Sequence, residues 1–317
     1  MGASPSASRA SKLRAVNGIL LLDKPLGISS NQALQIVRRA LAAAKGGHTG
    51  NLDVAASGLL PLCFGEATKV CGFLLASDKR YHAVVKLGQT STTGDSEGEI
   101  TATGGCLPQE LATIEQALNL LRGPIQQIPP MYSALKHAGR PLYKLARQGI
   151  EIERKARPVQ IYQLDLVEHN KDTLALDIRC SKGTYIRSLA ISLGEILGCG
   201  AHLAALRRLQ AGPFEITQAH SLEIFQAARY TLTEYTELLI PMDVALANLP
   251  RITLTSATAQ RFRQGQAVDC PDSTGTICEV PSRIYHEAGP FLGMGSVDAT
   301  GRLHPKRLVK QSESTEA

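Results

Sequence analysis

The chain has 317 residues, 44% hydrophobic and 20% charged, with a formal net charge of +6; this allows a full core plus a smaller module and excludes general disorder. No run of 18 apolar residues occurs, and the Ser/Ala-rich leader over residues 1–15 has no apolar segment, so neither a membrane helix nor a signal peptide is expected. The seven cysteines, at 63, 71, 106, 180, 199, 270 and 278, show no CxxC pair or zinc spacing; they read as buried thiols of a cytoplasmic protein without a metal site.

The apolar run from Gly18 to Asp23 predicts a buried strand, ended by the Pro25–Gly27 turn. A helix follows, capped by Ser29 or Ser30, with Leu34, Val37 and Leu41 on one face. Residues 46–65 read as a Gly-punctuated loop that carries His48 and Asp53. Alternation of Ala83, Val85 and Leu87 predicts a half-buried strand that starts at Tyr81. After a turn-rich connector over residues 90–105, Thr113 and Gln116 form a capping box opening a helix that Gly123 and Pro124 close.

From Pro129 an excursion leaves the core. Between Ala134 and Arg157 it carries seven Lys or Arg against Glu151 and Glu153. Such a run is either a solvated face or a grip for a polyanion. Leu174, Leu176, Ile178 and Cys180 alternate as a further strand, and the turn at Ser181–Gly183 feeds a helix with Ile186, Leu189, Leu193 and Ile196 on its inner face. Arg187 falls in the first turn of that helix, where the helix dipole disfavours a cation, so a carboxylate or phosphate partner is expected. Beyond Pro241, short strands, a short helix near residues 256–264 and a turn at Asp298–Gly301 predict a small β-rich module over residues 251–309. Residues 1–15 and 310–317 are expected to be a disordered leader and tail.

An aspartate in a Gly/Ser/Thr loop is ordinarily a turn-former. Asp53 exceeds that role only if distant residues serve it, and Tyr81 and Arg187 are the candidates. An arginine at ion-pair distance would depress the carboxylate pKa by about one to three units and keep it ionised for nucleophilic work.

Seven segments in order, GILLLDKPLGISS, GGHTGNLDVAASGLLP, GEATK, DKRY, PPMYSALKHAGRPLYKLAR, CSKGTYIRSLA and AHLAALRR, make the chain resemble the TruB family of bacterial tRNA pseudouridine-55 synthases from about Gly18 to Val309. The resemblance implies an α+β catalytic body over residues 16–248 with a mixed, largely antiparallel sheet and flanking helices. It makes residues 126–158 an RNA-gripping insertion and residues 251–309 a PUA-like module. By the same resemblance Asp53 attacks the target uridine and breaks its N-glycosidic bond, after which the base rotates and rejoins through carbon. Tyr81 is implied to stack on the base and take part in proton removal, and Arg187 to pair with the aspartate. Leu206 walls the uracil pocket, His48 enters the space left by the flipped bases, and Lys24, Lys136 and Tyr185 complete the substrate-binding set. The implied partner is the T-arm of tRNA, met by a monomer with no obligate protein partner and no cofactor. A stacked uridine must be flipped out to be reached, and an apolar and aromatic pocket suits that step.

The chain departs from the family pattern at Asn51 and Val54, which flank Leu52 and Asp53, and at Ile191 and Ser192, where an acidic residue is common. These changes bear on rate rather than reaction type. Tyr132 and Tyr143 either pack the excursion or touch RNA, Tyr185 could anchor its helix through its ring, and His82 reads as a surface residue. Two rivals remain open at this level: a non-catalytic RNA-binding protein, which would have no use for Asp53, Tyr81 and Arg187 together, and a guide-RNA-dependent pseudouridine synthase, which would share them but need protein partners.

Overall fold

The structure, a computed structural model, describes residues 13–108, 110–227, 231–270 and 279–310. Most of the expected leader, the tail beyond residue 310 and Cys278 lie outside them, while Arg14, inside the expected leader, already pairs with Ala43. Strand β1 (Gly18–Lys24) is buried at every position but Asp23, as its unbroken apolar run requires. Helix α1 (Ser30–Ala40) is opened by a Ser29–Gln32 capping box and buries Ala33, Leu34 and Val37. The glycine-rich stretch expected to be a loop is loop only in its middle. It is flanked by β2 (Gly46–His48) and by the nine-residue β3 (Ala56–Phe64). Because β3 has neighbours on both edges and is buried on both faces, its sequence does not alternate. The short α2 (Cys71–Leu75) leads into β4 (Lys79–Leu87), which begins two residues before Tyr81.

A small hairpin of β5 (Gln89–Ser91) and β6 (Ile100–Ala102) occupies the expected connector. Helix α3 (Leu111–Asn119) starts at a Glu110 cap that makes no side-chain bond, so Thr113 lies inside the helix and the expected capping box is absent. The core sets that start: Ile114, Ala117 and Leu118 face inward from a turn begun at Leu111. Strand β7 (Gly123–Gln127) precedes the excursion, which holds the hairpin β8 (Lys136–His137) and β9 (Arg140–Pro141) and one turn of helix, α4 (Leu142–Ala146). Long antiparallel β10 (Arg157–Asn170) and β11 (Thr173–Cys180) lead to α5 (Ile186–Ile196). Ile186, Leu189 and Leu193 of α5 are buried, but Ile196 at the helix end is 41% exposed and is not on the inner face.

Strands β12 (Ala201–Ala211), β13 (Phe214–Glu215) and β14 (His220–Ser221), then α6 (Glu223–Gln226) and α7 (Leu232–Glu237), complete the body. Its sheet runs β14-β1-β3-β12-β4-β11-β10-β7, with β2 paired to β3 and β13 to β12. The β1–β14 and β3–β12 pairings are parallel and the rest antiparallel, which is the mixed, largely antiparallel arrangement expected. Strands β15 (Arg251–Leu254), β16 (Val268–Asp269), β17 (Pro281–His286), β18 (Phe291–Val297) and β19 (Arg302–Leu308) form a second sheet with α8 (Ser256–Arg263) against it.

One apolar cluster packs α3 and α5 on strands β4, β10 and β11, and another packs α1 on β1 and β3; Tyr81 and Leu206 touch both. A third cluster joins the sheets, placing Met294 of β18 with Ile19, Leu59 and Phe214 of the body. Lys69 Nζ also donates to Leu308 O at 2.7 Å. Of the described cysteines, 63, 180, 199 and 270 are buried, whereas Cys71 is half-buried and Cys106 exposed, so the expectation of uniformly buried thiols holds only in part. Among the described residues no helix is long and apolar enough to cross a membrane.

Candidate active site

The Asp53 loop joins β2 to β3 and is tied down at three points. The buried Ser30 hydroxyl accepts the Leu52 N–H at 2.8 Å and donates to Leu52 O at 3.0 Å. Gly27 N–H donates to Val54 O at 3.0 Å, and Arg208 Nη2 donates to Gly50 O at 3.2 Å. With Gly50, Leu52 and Val54 fixed, Asp53 has little backbone freedom and its side chain opens onto a cavity of about 790 Å³.

At one wall of that cavity stands Arg187, 6% exposed. Its Nη2 reaches Asp53 Oδ2 at 3.1 Å and donates to Tyr132 O at 2.7 Å. Its Nη1 lies 3.4 Å from Asp95 Oδ2 and donates to Thr93 O at 3.1 Å. The cation at a helix start therefore has the carboxylate partner expected, and a second carboxylate besides. The turn before α5 is set by Gln127, whose Oε1 accepts the Tyr185 N–H at 3.0 Å and whose Nε2 donates to Tyr185 O at 3.3 Å.

His48, Asp53, Tyr81, Tyr185, Arg187 and Leu206 thus line one cavity, although they come from four separate parts of the chain. Tyr132, Tyr143 and Arg147 of the excursion face the same space, and the Arg147 guanidinium lies over the Tyr143 ring at 5.7 Å. Lys136 does not join them: it is exposed on β8, away from the cavity wall. Nor does Lys24, and here the expectation of substrate contact is corrected. Its side chain is fully buried and its Nζ donates to Pro25 O and Ile28 O, both at 2.8 Å. Burial brings its pKa down to about 8, against the pull of Asp53. Lys24 braces the turn in front of α1.

Burial also lowers the pKa of His48, helped by the Arg208 cation, and the ring Nδ1 is buried without a hydrogen-bond partner. The imidazole is accordingly neutral at neutral pH. Asp53 departs from the sequence-based expectation. Its pKa is raised, because burial outweighs the opposing Arg187 charge and Asp95 adds repulsion. The arginine is shared between two carboxylates and two carbonyls, so it offsets the loss of water only in part. Chemistry that requires ionised Asp53 is thus fully present above its raised pKa and is lost as the pH falls through it. The acid limb of kcat/KM is expected at a pH above the ordinary aspartate value of 3.8; a limb at or below that value would show that Arg187 dominates instead.

Sequence reasoning missed Asp95 and Arg208. Asp95 sat in a stretch read only as a connector, and no pattern announces a buried carboxylate there. Arg208 stood in the AHLAALRR segment, but its place opposite Tyr81 follows from a strand pairing with a register shift, which the segment alone does not announce.

The chain matches the TruB family pseudouridylate synthase (N terminal domain) over residues 38–186. It also matches the tRNA pseudouridylate synthase B C-terminal domain over residues 187–247 and the Pseudouridine synthase II TruB, C-terminal family over residues 250–309. It is 47% identical to the tRNA pseudouridine synthase B of Aeromonas salmonicida, with 96% of this chain and 97% of that protein covered. To the protein of the same name from Pseudomonas aeruginosa it is 48% identical, with 94% and 97% covered. A solved structure of an H/ACA RNP bound to a substrate RNA containing 2′-deoxyuridine shares the fold, with a TM-score of 0.70 at 21% identity over 94% of this chain and 86% of that one.

Proposed function

This chain belongs to the TruB family of pseudouridylate synthases, and from that premise we propose that it converts uridine at position 55 of the tRNA T-loop to pseudouridine with Asp53 as the nucleophile. The relatives at 47–48% identity over nearly their whole length are tRNA pseudouridine synthases, and the isomerisation of a tRNA uridine follows for this chain. The observation that carries the residue assignment is the Asp53–Arg187 ion pair at 3.1 Å in a cavity also lined by Tyr81 and Leu206.

The flipped uridine enters the cavity with its base between the Tyr81 ring and the Leu206 side chain, and Asp53 attacks the nucleoside. The N-glycosidic bond breaks as the Asp53 carboxylate bonds to the sugar, the freed uracil turns, and its C5 bonds to the sugar as the carboxylate leaves. The C5 proton is lost while N1 gains one, so the product is an isomer and no co-substrate is consumed. Arg187 offsets in part the loss of water around the attacking carboxylate and so favours its ionised form. Neutral His48, on the strand entering the Asp53 loop, fills the space the flipped bases leave without adding charge. Tyr185 shapes the wall beside Arg187.

Residues 16–248 act as the catalytic body and residues 251–309 as a PUA-like RNA-binding module, a division supported by the two separate sheets. Residues 126–158 act as the RNA grip, with Lys136 contacting phosphate outside the cavity. Neutralising Lys136, Arg140 and Lys144 together is expected to weaken tRNA binding and to flatten the slope of log affinity against log salt by up to about three phosphate contacts. An unchanged slope would return this stretch to a merely solvated face. The chain works as a cytoplasmic monomer without a protein partner. The test is mass-spectrometric mapping of pseudouridine in a bare T-arm stem-loop incubated with the purified chain. Modification at position 55 is expected; no product at saturating RNA overturns the reading.

A further inference from the structure

Arg208 heads the large side chains that are fully buried, at 1% exposure. In β12 it lies directly opposite Gly58 of β3 on one side and Tyr81 of β4 on the other. Its Nε donates to Leu59 O at 2.7 Å and its Nη2 to Gly50 O at 3.2 Å. Across that register Arg208 faces Tyr81, and the interaction between the two favours the Arg208 cation against the cost of its burial. Among the described residues no carboxylate forms an ion pair with it. A buried cation without a counter-charge is among the most costly arrangements a fold can hold, and this one borders the reaction cavity.

The chemistry of the pair fixes a direction. A guanidinium has only donors, so a phenol oxygen that meets it accepts, which leaves the single O–H free for the cavity that Tyr81 lines. A cation on the far side of the oxygen also steadies negative charge there. The field of Arg208 is not cancelled locally: after burial itself, it is the main influence lowering the pKa values of Lys79 and His48. Burial pushes the Tyr81 phenol up, and Arg208 opposes that rise.

We propose that Arg208 is a positioning residue of the reaction, fixing Tyr81 as a hydrogen-bond donor toward the bound nucleoside while tethering the Gly50 end of the Asp53 loop. The inference rests on the pseudouridine-synthase reading above. When the phenol lends its proton to the nucleoside, Arg208 stabilises the phenolate that remains. The proton that C5 releases when the base has rejoined the sugar restores the phenol, so no co-reactant is required.

The test is a double-mutant cycle on the T-arm substrate with Arg208→Lys, Tyr81→Phe and the double variant. Arg208→Lys keeps the charge but loses the fork that serves three partners at once. It is expected to lower kcat about 10- to 100-fold with KM changed by less than about twofold, and to cost less than about threefold when Tyr81 is already Phe. Equal losses in both backgrounds overturn the proposal. Tyr81→Phe also tests the contact without touching Arg208. It removes the acceptor of a buried donor, so the melting temperature is expected to fall, and an unchanged one overturns the proposal even if Arg208→Lys does not fold. A wild-type chain that leaves the T-arm unmodified overturns the functional reading as well, whereas an active wild type with uncoupled residues overturns only this inference.

Discussion

Replacing Asp53 with Asn is expected to remove catalysis, leaving less than about one per cent of wild-type turnover, while RNA affinity stays nearly unchanged. The substitution keeps the size of the side chain and the ties of its loop, since Ser30, Gly27 and Arg208 hold the backbone at Leu52, Val54 and Gly50. Arg187 keeps Asp95 and the carbonyls of Thr93 and Tyr132 as partners, so the fold has little reason to change. What disappears is the negative oxygen proposed to attack. Single-turnover assays and a binding isotherm on the same T-arm RNA separate the two effects; turnover above that level would mean that another group supplies the nucleophile.

Arg187→Ala is expected to cost at least about 100-fold in activity, the scale on which loss of one preorganised electrostatic contact is felt. Arg187→Lys is expected to recover little of it. The guanidinium serves four oxygens at once, on Asp53, Asp95, Thr93 and Tyr132, and a point-charge ammonium cannot match that fork. Stability changes as well. Asp95 is 5% exposed, and stripping the partner from a buried ion pair costs about 3–5 kcal/mol. Activity should therefore be compared at a temperature where circular dichroism shows both variants folded. A Lys variant with near-normal kcat would show that the forked geometry is unnecessary.

The elements whose burial follows a simple period were legible in the sequence. Helix α1 came from its cap and its 3.6-residue stripe, and β4 and β11 came from alternation. Other elements were hidden for identifiable reasons. Strand β3 contains Gly58 and Pro61, which read as turn residues, yet Gly58 adopts φ +104° and a Cβ there would meet the Arg208 carbonyl oxygen at 2.3 Å. The glycine marks a close approach of two strands rather than a loop. Strand β12 carries register shifts between Leu203 and Ala205 and between Arg208 and Gln210, which break its alternation. Strand β10 has two such shifts of its own.

The gathering of Asp53, Tyr81 and Arg187 was anticipated from matched segments and from the need of a loop aspartate for partners. Periodicity alone could not have supplied it, because the cavity is assembled by the β3–β12–β4 pairing, which no local pattern encodes. The raised pKa of Asp53 was missed for a related reason. Its sign depends on how much water the assembled walls exclude, and that is a property of the whole site. Lys24 lies inside the first matched segment, and its ammonium is taken up by the Pro25 and Ile28 carbonyls of the turn it sits in, a local contact that the motif does not announce.

The cluster that unites Met294 with Ile19, Leu59 and Phe214 also bears on how the molecule comes apart. Two domains joined by a slack linker breathe independently, but here β18 of the module shares packed side chains with β1 and β3, and Asp53 sits immediately before β3. Opening that seam exposes apolar surface under the strands that frame the catalytic loop. The module and the body are therefore expected to unfold as one cooperative unit, seen as a single melting transition. Excising the module, or loosening it by a substitution far from any RNA, would be felt first as fraying of the loop that carries Asp53.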